Sequence, residues 1–546
     1  MSGGAGSAMI SRLHRVAGAL HRDERGQSLA VVLALVTLLF LLGTALAVQA
    51  STALRVTAAS DGQADALHAA DAGAELGIWW QRNGQAGNPP AITINGLTVS
   101  TTVSVAPPPG GSGAGWQQWG WNGRSQATTS APGPASYNAR WSTFPTLAQG
   151  TPVASATVAA DGYVYVGATT GLYAYRPDGQ LAWSFLSAGQ IPAVGTFSGS
   201  PAILTTGGGA KMIVAATDGA AATASKVFGL TEDAAKTGVS ITWSYSLGNG
   251  AGVGFVGGAK LNVAGTRAYL AARNSTVYAF DTTAAGNNPP LWSSATGGAV
   301  AVPVALNVAE DRVYVATSTG IVRAYDATTG AQSWTRTVSA GAVLTAPVFH
   351  DTGARNHVYV GTGANSTIRA IRDLGNSSGQ DWSVALGANA FSAPVLATSG
   401  SQEFVFVADS AGGIRKLEDL GNSAATRWTY TPVASPIQSG LAMDSAGFLY
   451  LGNDAGSLYR IADNGASGST SWTQAVGLGA VRSEIVVGTD GDLYAVTAGN
   501  RMVAVGGAAP GGLATVTATA GAATVTTTYT DVGAGVPTLS SWTTTK

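Results

Sequence analysis

Between residues 136 and 505 the chain alternates apolar and polar residues over short stretches, and turns rich in glycine, asparagine and aspartate separate them. A period of two is the pattern of a half-buried β-strand. The clearest unit runs from Asp311 to Trp334. It has a Val-Tyr-Val strand, a turn with Gly320, a second alternating strand ending at Tyr325, a turn with Gly330, and a closing tryptophan. The run from Asp161 to Trp183 repeats it. A short stretch with a small residue or proline, such as Val302-Pro303-Val304 or Ala393-Pro394-Val395, precedes most copies. Each unit therefore predicts four strands, the build of a propeller blade.

The closing tryptophans are Trp141, Trp183, Trp243, Trp292, Trp334, Trp382, Trp428 and Trp472. Their spacing is near that of propeller repeats, about 40–50 residues. The wider gap from Trp183 to Trp243 predicts an insertion at 217–225 or 231–239. The last copy, Glu484 to Val505, has strands but no tryptophan, whereas Trp141 precedes the first full copy. One arrangement explains both: the strand around Trp141 completes the last blade and leaves no open edge. Eight blades follow, with seven as the alternative.

The N-terminal segment has a different period. Leu29 to Val48 is 20 residues without a charge; as a helix it is roughly 30 Å long and matches a bilayer core. Arg12, Arg15, Arg22 and Arg25 precede it, a basic flank that stays cytoplasmic and places the rest outside. From Ser51 to Arg82 there is no proline, and Leu54, Ala58, Leu67, Ala70, Ala74 and Ile78 fall at helical spacing, which predicts a stem. The alternative is a signal peptide cut after Ala47 or Ala50, for which the apolar run is long. Residues 91–105 alternate around Asn95-Gly96, a hairpin signal. Pro107 to Gly113 reads as a linker. Alternation returns at 514–530 and predicts a last hairpin that pairs with the 91–105 hairpin, with disorder as the alternative. The divisions are thus 1–26 leader, 27–82 helix, 83–135 hairpin and linker, 136–505 propeller, and 506–546 a Thr/Ala-rich β tail.

Composition narrows the function. Only 10% of the 546 residues are charged and the net charge is −1; without a basic patch, nucleic acid is not an expected partner. The absence of cysteine excludes disulfides and thiolate chemistry. Residues expected at the propeller axis (Thr151, Ser200, Val302, Ala346, Ala393, Ser439, Ser483) are small or apolar. Arg482 and Glu484 alone bring charge there, read as an internal ion pair. His350, His357 and Asp351 are the one candidate metal set, but a polar hairpin explains them more simply. Asp444 and the Asp490-Gly491-Asp492 stretch read as turns, since they lack the run of ligands a calcium loop needs. No catalytic, cofactor or metal residue is assigned.

Two resemblances extend this reading. Ala324-Tyr-Asp-Ala-Thr-Thr-Gly-Ala-Gln-Ser-Trp334 resembles the tryptophan docking motif of the pyrroloquinoline-quinone (PQQ)-like propellers, and the likeness extends over 136–505. It implies eight four-stranded blades but not the cofactor: quinoprotein dehydrogenases share the blade with quinone-free outer-membrane assembly lipoproteins. The quinone enzymes usually need cations, a Ca²⁺ site and adjacent cysteines, and cysteine is absent here. Arg25-Gly26-Gln27-Ser28-Leu29 and the stretch Ala69 to Leu76 resemble type IV pilins, especially minor pilins of the PilX type. That likeness implies cleavage by a prepilin peptidase between Gly26 and Gln27. Val31 stands where major pilins carry glutamate, which leaves a minor or tip subunit, or a merely membrane-anchored protein, as the reading. The expected molecule is an all-β eight-bladed, PQQ-like β-propeller behind an N-terminal transmembrane, pilin-like α-helix. Its expected role is that of a noncatalytic, surface-exposed minor pilin-like or pilus-associated protein without cofactor, membrane-anchored through 29–48. Its propeller would act as a binding or adhesion module for a protein or glycan, with pilus subunits and the peptidase as further partners. An envelope scaffold of the outer-membrane assembly type is the alternative, and a PQQ-dependent dehydrogenase the distant one.

Overall fold

The computed structural model describes residues 61–82, 89–105, most of 117–143, 154–506 apart from stretches of one to five residues, 513–520, 523–530 and 538–545. The leader with Gly26 and Gln27 and the apolar run 29–48 lie outside the described residues. Among the described residues no helix is long and apolar enough to cross a membrane. The chain divides into two compact units, residues 1–103 with 516–527 and 542–546, and residues 104–515 with 528–541.

The smaller unit contains helix α1 (Asp61–Arg82) and a five-stranded sheet. Strands β1 (Ile92–Ile94) and β2 (Leu97–Val105) form the predicted hairpin, with Asn95 and Gly96 both at positive φ, as a type I′ turn requires. The tail supplies the other three strands, Leu513–Ala520, Ala523–Thr530 and Thr538–Thr545, and the first of these lies beside β2. Ala69, Ala70 and Ala74 of the helix are fully buried. A Cβ at Gly73 would stand 2.3 Å from Val99 Cγ1 and 3.0 Å from Ala518 Cβ. Glycine costs about 1 kcal/mol inside a helix, but only glycine lets this turn of α1 seat on the sheet. The sheet joins both ends of the chain, so the propeller is an insertion between β2 and the strand Leu513–Ala520.

The larger unit is eight sheets. Seven are meanders of successive strands: blade 1 (157–186), blade 2 (202–249), blade 3 (255–295), blade 4 (305–337), blade 5 (348–385), blade 6 (395–430) and blade 7 (442–475). Blade 8 takes its first three strands from Val486–Val487, Leu493–Thr497 and Arg501–Gly506. Its fourth is Asn138–Thr143, which pairs antiparallel with Arg501–Gly506 in the register Ala139↔Val505 and Trp141↔Ala504. Arg140 on that strand lies 3.3 Å from Asp492. The extra length of blade 2 lies partly in its strands, since Ala224–Glu232 and Val239–Asn249 run nine and eleven residues. A short strand, Gly286–Asn287, adds parallel to its outer edge.

Buried clusters show that the eight sheets close a ring. Trp183 of blade 1 packs with Ile213 and Phe228 of blade 2, and Trp243 with Leu270 and Phe280 of blade 3. Trp292 joins blade 3 to Val313 and Tyr325 of blade 4. Trp334 joins blade 4 to Val358 and Ile371 of blade 5. Trp382 packs with Val405 and Leu417 of blade 6. One further cluster runs from Trp428 through Leu449 and Ile461 to Tyr494, and on to Val164 and Tyr175 of blade 1.

Deleting the closing strand exposes the edge of Arg501–Gly506 to other chains. A chain beginning at residue 150 is expected to aggregate, or to melt well below one beginning at 117. Equal melting temperatures for the two would place the closure elsewhere.

Candidate functional site

Among the described residues, seven blades each hold the next through one repeated arrangement. The tryptophan of the fourth strand donates its indole N–H to an acceptor at or just past the end of the next blade's third strand or, for Trp472, just ahead of blade 8's fourth strand. Trp334 donates to Asp373 (2.9 Å), Trp382 to Asp419 (3.0 Å) and Trp428 to Asp463 (2.9 Å). Trp183 uses Glu232 (2.8 Å). Trp243, Trp292 and Trp472 use backbone carbonyls, of Thr282, Ala327 and Pro134. The backbone of Trp141 sits in blade 8, and its side chain lies outside the described residues. A tyrosine on the second strand joins the same acceptor: Tyr165 donates to Glu232, Tyr269 to the Ala327 carbonyl, Tyr314 to Asp373 and Tyr359 to Asp419.

Two residues before that tyrosine stands a cation. It is Arg267 in blade 3, Arg312 in blade 4 and His357 in blade 5. Arg267 donates to the Ala327 carbonyl (3.2 Å), and Arg312 lies 3.5 Å from Asp373. His357 is thus the counterpart of two structural arginines, and the hairpin reading needs correcting in this respect. Its Nε2 lies 2.7 Å from Asp381 and its Nδ1 2.8 Å from Asp419, all three side chains being almost wholly buried. Burial pulls the imidazole pKa down, but the hydrogen bonds and charges of Asp419 and Asp381 more than offset this and raise it. His350 points elsewhere, to Gln126 (3.4 Å) and Glu403 (3.6 Å). Among the described residues no group of three or more acidic, histidine or cysteine side chains is placed to hold a metal ion.

The second feature was not legible in the sequence. Residues 117–134, expected as linker, are built into the propeller. Ile203 of blade 2 donates its N–H to the Gln117 carbonyl (2.7 Å), and Leu261 of blade 3 to the Gln118 side chain (2.8 Å). Gly120 N–H donates to both oxygens of Glu484 in blade 8 (2.8 and 3.0 Å). Phe349 of blade 5 bonds Arg124 and Gln126, and Met443 of blade 7 bonds Ala127 and Thr129. All these partners lie on or beside the first strands of their blades. One short segment can reach the first strands of five blades only where those strands converge, so 117–131 occupies the axis. From there it passes Asp444, which accepts from Gly133 N–H (3.0 Å), and becomes the closing strand.

The axis is also more charged than expected. Arg482 and Glu484 do not pair. Arg482 lies on Asp454 (2.8 Å), while Glu484 is buried on the Gly120 N–H. The charge facing Glu484 is Lys260, fully buried, which donates to the Asn122 carbonyl (2.9 Å). Burial lowers the Lys260 pKa, against the opposing pull of Glu484. Lys260 follows a bulge at Gly257 and Gly258, both at positive φ and wedged between Ser200 and Pro303 without room for a Cβ. Asp444 and Asp490 behave as turn residues. Asp444 accepts from the N–H groups of Ala446 and Phe448, and Asp490 from the N–H of Asp492.

Residues 174–420, from the third strand of blade 1 to the end of the third strand of blade 6, match the family described as outer membrane protein assembly factor BamB. Together with the eight sheets this defines the larger unit as a PQQ-like β-propeller. Similar solved structures include BamB from Moraxella catarrhalis, 15% identical with a TM-score of 0.47, over 68% of this chain and 100% of its own. The computationally designed Ika8 protein is 13% identical with a TM-score of 0.47, over 65% and 96%. No curated protein matches the chain in sequence.

Two outcomes test the docking arrangement. Asp373→Ala leaves an indole N–H, a tyrosine hydroxyl and Arg312 without their acceptor. It should cost about 2–5 kcal/mol, each buried orphan contributing about 1–3. Asp373→Asn, which keeps an acceptor, should cost less; equal losses in urea titrations would show that the acceptor is immaterial. The second outcome is pH dependence. His357 has a folded pKa above its ordinary value, so its stabilisation is complete below about pH 6.5 and is lost as pH rises through the folded pKa. Melting temperature should therefore fall over that window in the native chain and less in His357→Arg. Parallel pH profiles would remove His357 from the account.

Proposed function

We propose that the propeller is a noncatalytic binding scaffold of the envelope-assembly type. The observation that carries this is the filling of the axis by residues 117–131. A propeller enzyme with a central cofactor needs that space, and here hydrogen bonds to five blades hold the chain's own segment in it. The family match over blades 1–6 agrees. What is left for a partner is the rim. Val263 (91% exposed), Val308 (50%), Leu374 (56%) and Leu420 (53%) sit in turns between first and second or third and fourth strands of blades 3 to 6. In antiparallel meanders those turns share one end, so four successive blades each present an apolar side chain on the same side, as a protein-binding surface does.

Cells lacking the chain should show reduced amounts of assembled envelope proteins. Unchanged amounts would overturn the reading. Purified protein titrated with PQQ and Ca²⁺ should show no saturable, redox-active quinone; a bound quinone would restore the dehydrogenase alternative.

The pilin-like reading stands second. It is favoured by the smaller unit, where a helix rich in alanine and glycine packs on a five-stranded sheet, and by the leader residues around Gly26. The mature protein should then begin at Gln27. A start after Ala47 or Ala50, or an uncut Met1, would leave the scaffold reading alone.

A further inference from the structure

Blades 4, 5 and 6 carry arginine at one equivalent position of the third strand: Arg323, Arg369 and Arg415, opposite Val315, Val360 and Val407. Blades 3 and 7 have Tyr278 and Tyr459 there. A fourth cation, Arg336, stands two residues after Trp334 and so shares its face, toward blade 5. Its Nη1 donates to the Ser378 carbonyl of blade 5 (3.1 Å). Arg369 donates from Nη1 to Gln380 (2.8 Å) and from Nε to Thr367 (3.1 Å). Ser378 and Gln380 are two residues apart on one strand, about 7 Å. The two guanidinium groups thus share the outer crevice between blades 4 and 5. Burial, then the charge of Arg336, lowers the Arg369 pKa.

This juxtaposition has no internal compensation. Among the described residues no carboxylate lies within ion-pair distance of Arg323, Arg336, Arg369 or Arg415, although all four are half-buried. The Nε–H groups of Arg323, Arg336 and Arg415 are buried without an acceptor. Carboxylates are at hand in the same blades but serve other arginines: Asp373 lies by Arg312 (3.5 Å) and Asp381 by Arg372 (2.9 Å). Like charges held together in a half-dry groove destabilise the free protein, and an anion relieves them.

We propose that the crevice between blades 4 and 5, with Arg336 and Arg369 as its two forks, binds a phosphate-class oxyanion. A carboxylate brings one charge. A phosphate brings up to two and enough acceptor oxygens for both planar donors. It reaches this crevice either as a small soluble phosphate or as the phosphomonoester headgroup of an anionic lipid, which can carry the same charge.

The test uses the full chain in detergent, melted against inorganic phosphate at constant ionic strength. Melting temperature should rise and saturate. Arg336→Gln and Arg369→Gln should each weaken the apparent affinity roughly tenfold or more, and the double variant should lose the response. The Arg→Lys double variant, which keeps charge without the fork, should retain part of it and controls for folding. Sedimentation with vesicles containing phosphatidic acid, a phosphomonoester lipid, compared with phosphatidylcholine alone, separates the sources. An Arg-dependent preference for the anionic vesicles without a phosphate response supports the lipid headgroup, and a phosphate response alone supports the soluble anion. If neither probe distinguishes the native chain from the Gln double variant, the proposal is wrong. The same holds if that variant is less stable without phosphate yet responds to it equally, since the arginines are then structural only.

Discussion

The ring depends on a hydrogen bond from one blade to the next: an indole, usually with a tyrosine hydroxyl, reaching the acceptor that ends the neighbour's third strand. Apolar packing holds blades together but is indifferent to small rotations. A buried N–H that must find its acceptor is not, because leaving it unpaired costs about 1–3 kcal/mol. Six of the seven described acceptors stand at or just past the end of the third strand, while their chemistry varies from aspartate and glutamate to plain carbonyls. Where a carboxylate is used, the ring adds a cation beside it: Lys211 at Glu232, Arg312 at Asp373, His357 at Asp419 and Lys416 at Asp463. The charged network follows from the need for an acceptor, and half-burial then demands its neutralisation.

The sequence reveals what repeats with a short period. The Val-Tyr-Val strands, the tryptophans and the split last blade follow from alternation and spacing. The 91–105 hairpin and the first two tail strands were also readable as alternation, and the sheet they share follows from pairing two exposed edges; the third tail strand, Thr538–Thr545, was not read from the sequence. The acceptors were hidden because Glu232, Asp373 and the Ala327 carbonyl have no residue type in common. His357 was readable only through alignment with Arg267 and Arg312 ahead of their tyrosines; beside His350 it looked like part of a turn. The axial segment has no period at all. Its glycines, glutamines and prolines are those of a linker, and its bonds are made largely by backbone groups, which every sequence carries.

Closure of the centre also explains its chemistry. Inner strands of two residues in blades 1, 4, 7 and 8 leave backbone groups facing a narrow space. Water or a ligand can satisfy them, and here residues 117–131 do. Lys260 and Glu484 are tolerable in that place because Asn122 and Gly120 supply a carbonyl and an N–H to them, so the insert neutralises and is anchored by the charges it covers.

The insertion of the propeller into the smaller sheet bears on the order of folding. Thr102 bonds to Thr517 across 415 residues. Closing a loop of that size in a disordered chain costs about 5 kcal/mol in the length-dependent part alone. Once the strand Asn138–Thr143 has paired with Arg501–Gly506, the ring's entry and exit are already neighbours, and only the two connections remain to be closed. The same cost then falls by about 2 kcal/mol. Closing the ring first is therefore the cheaper order for the smaller sheet, because the seam shortens the loop that its strands have to close.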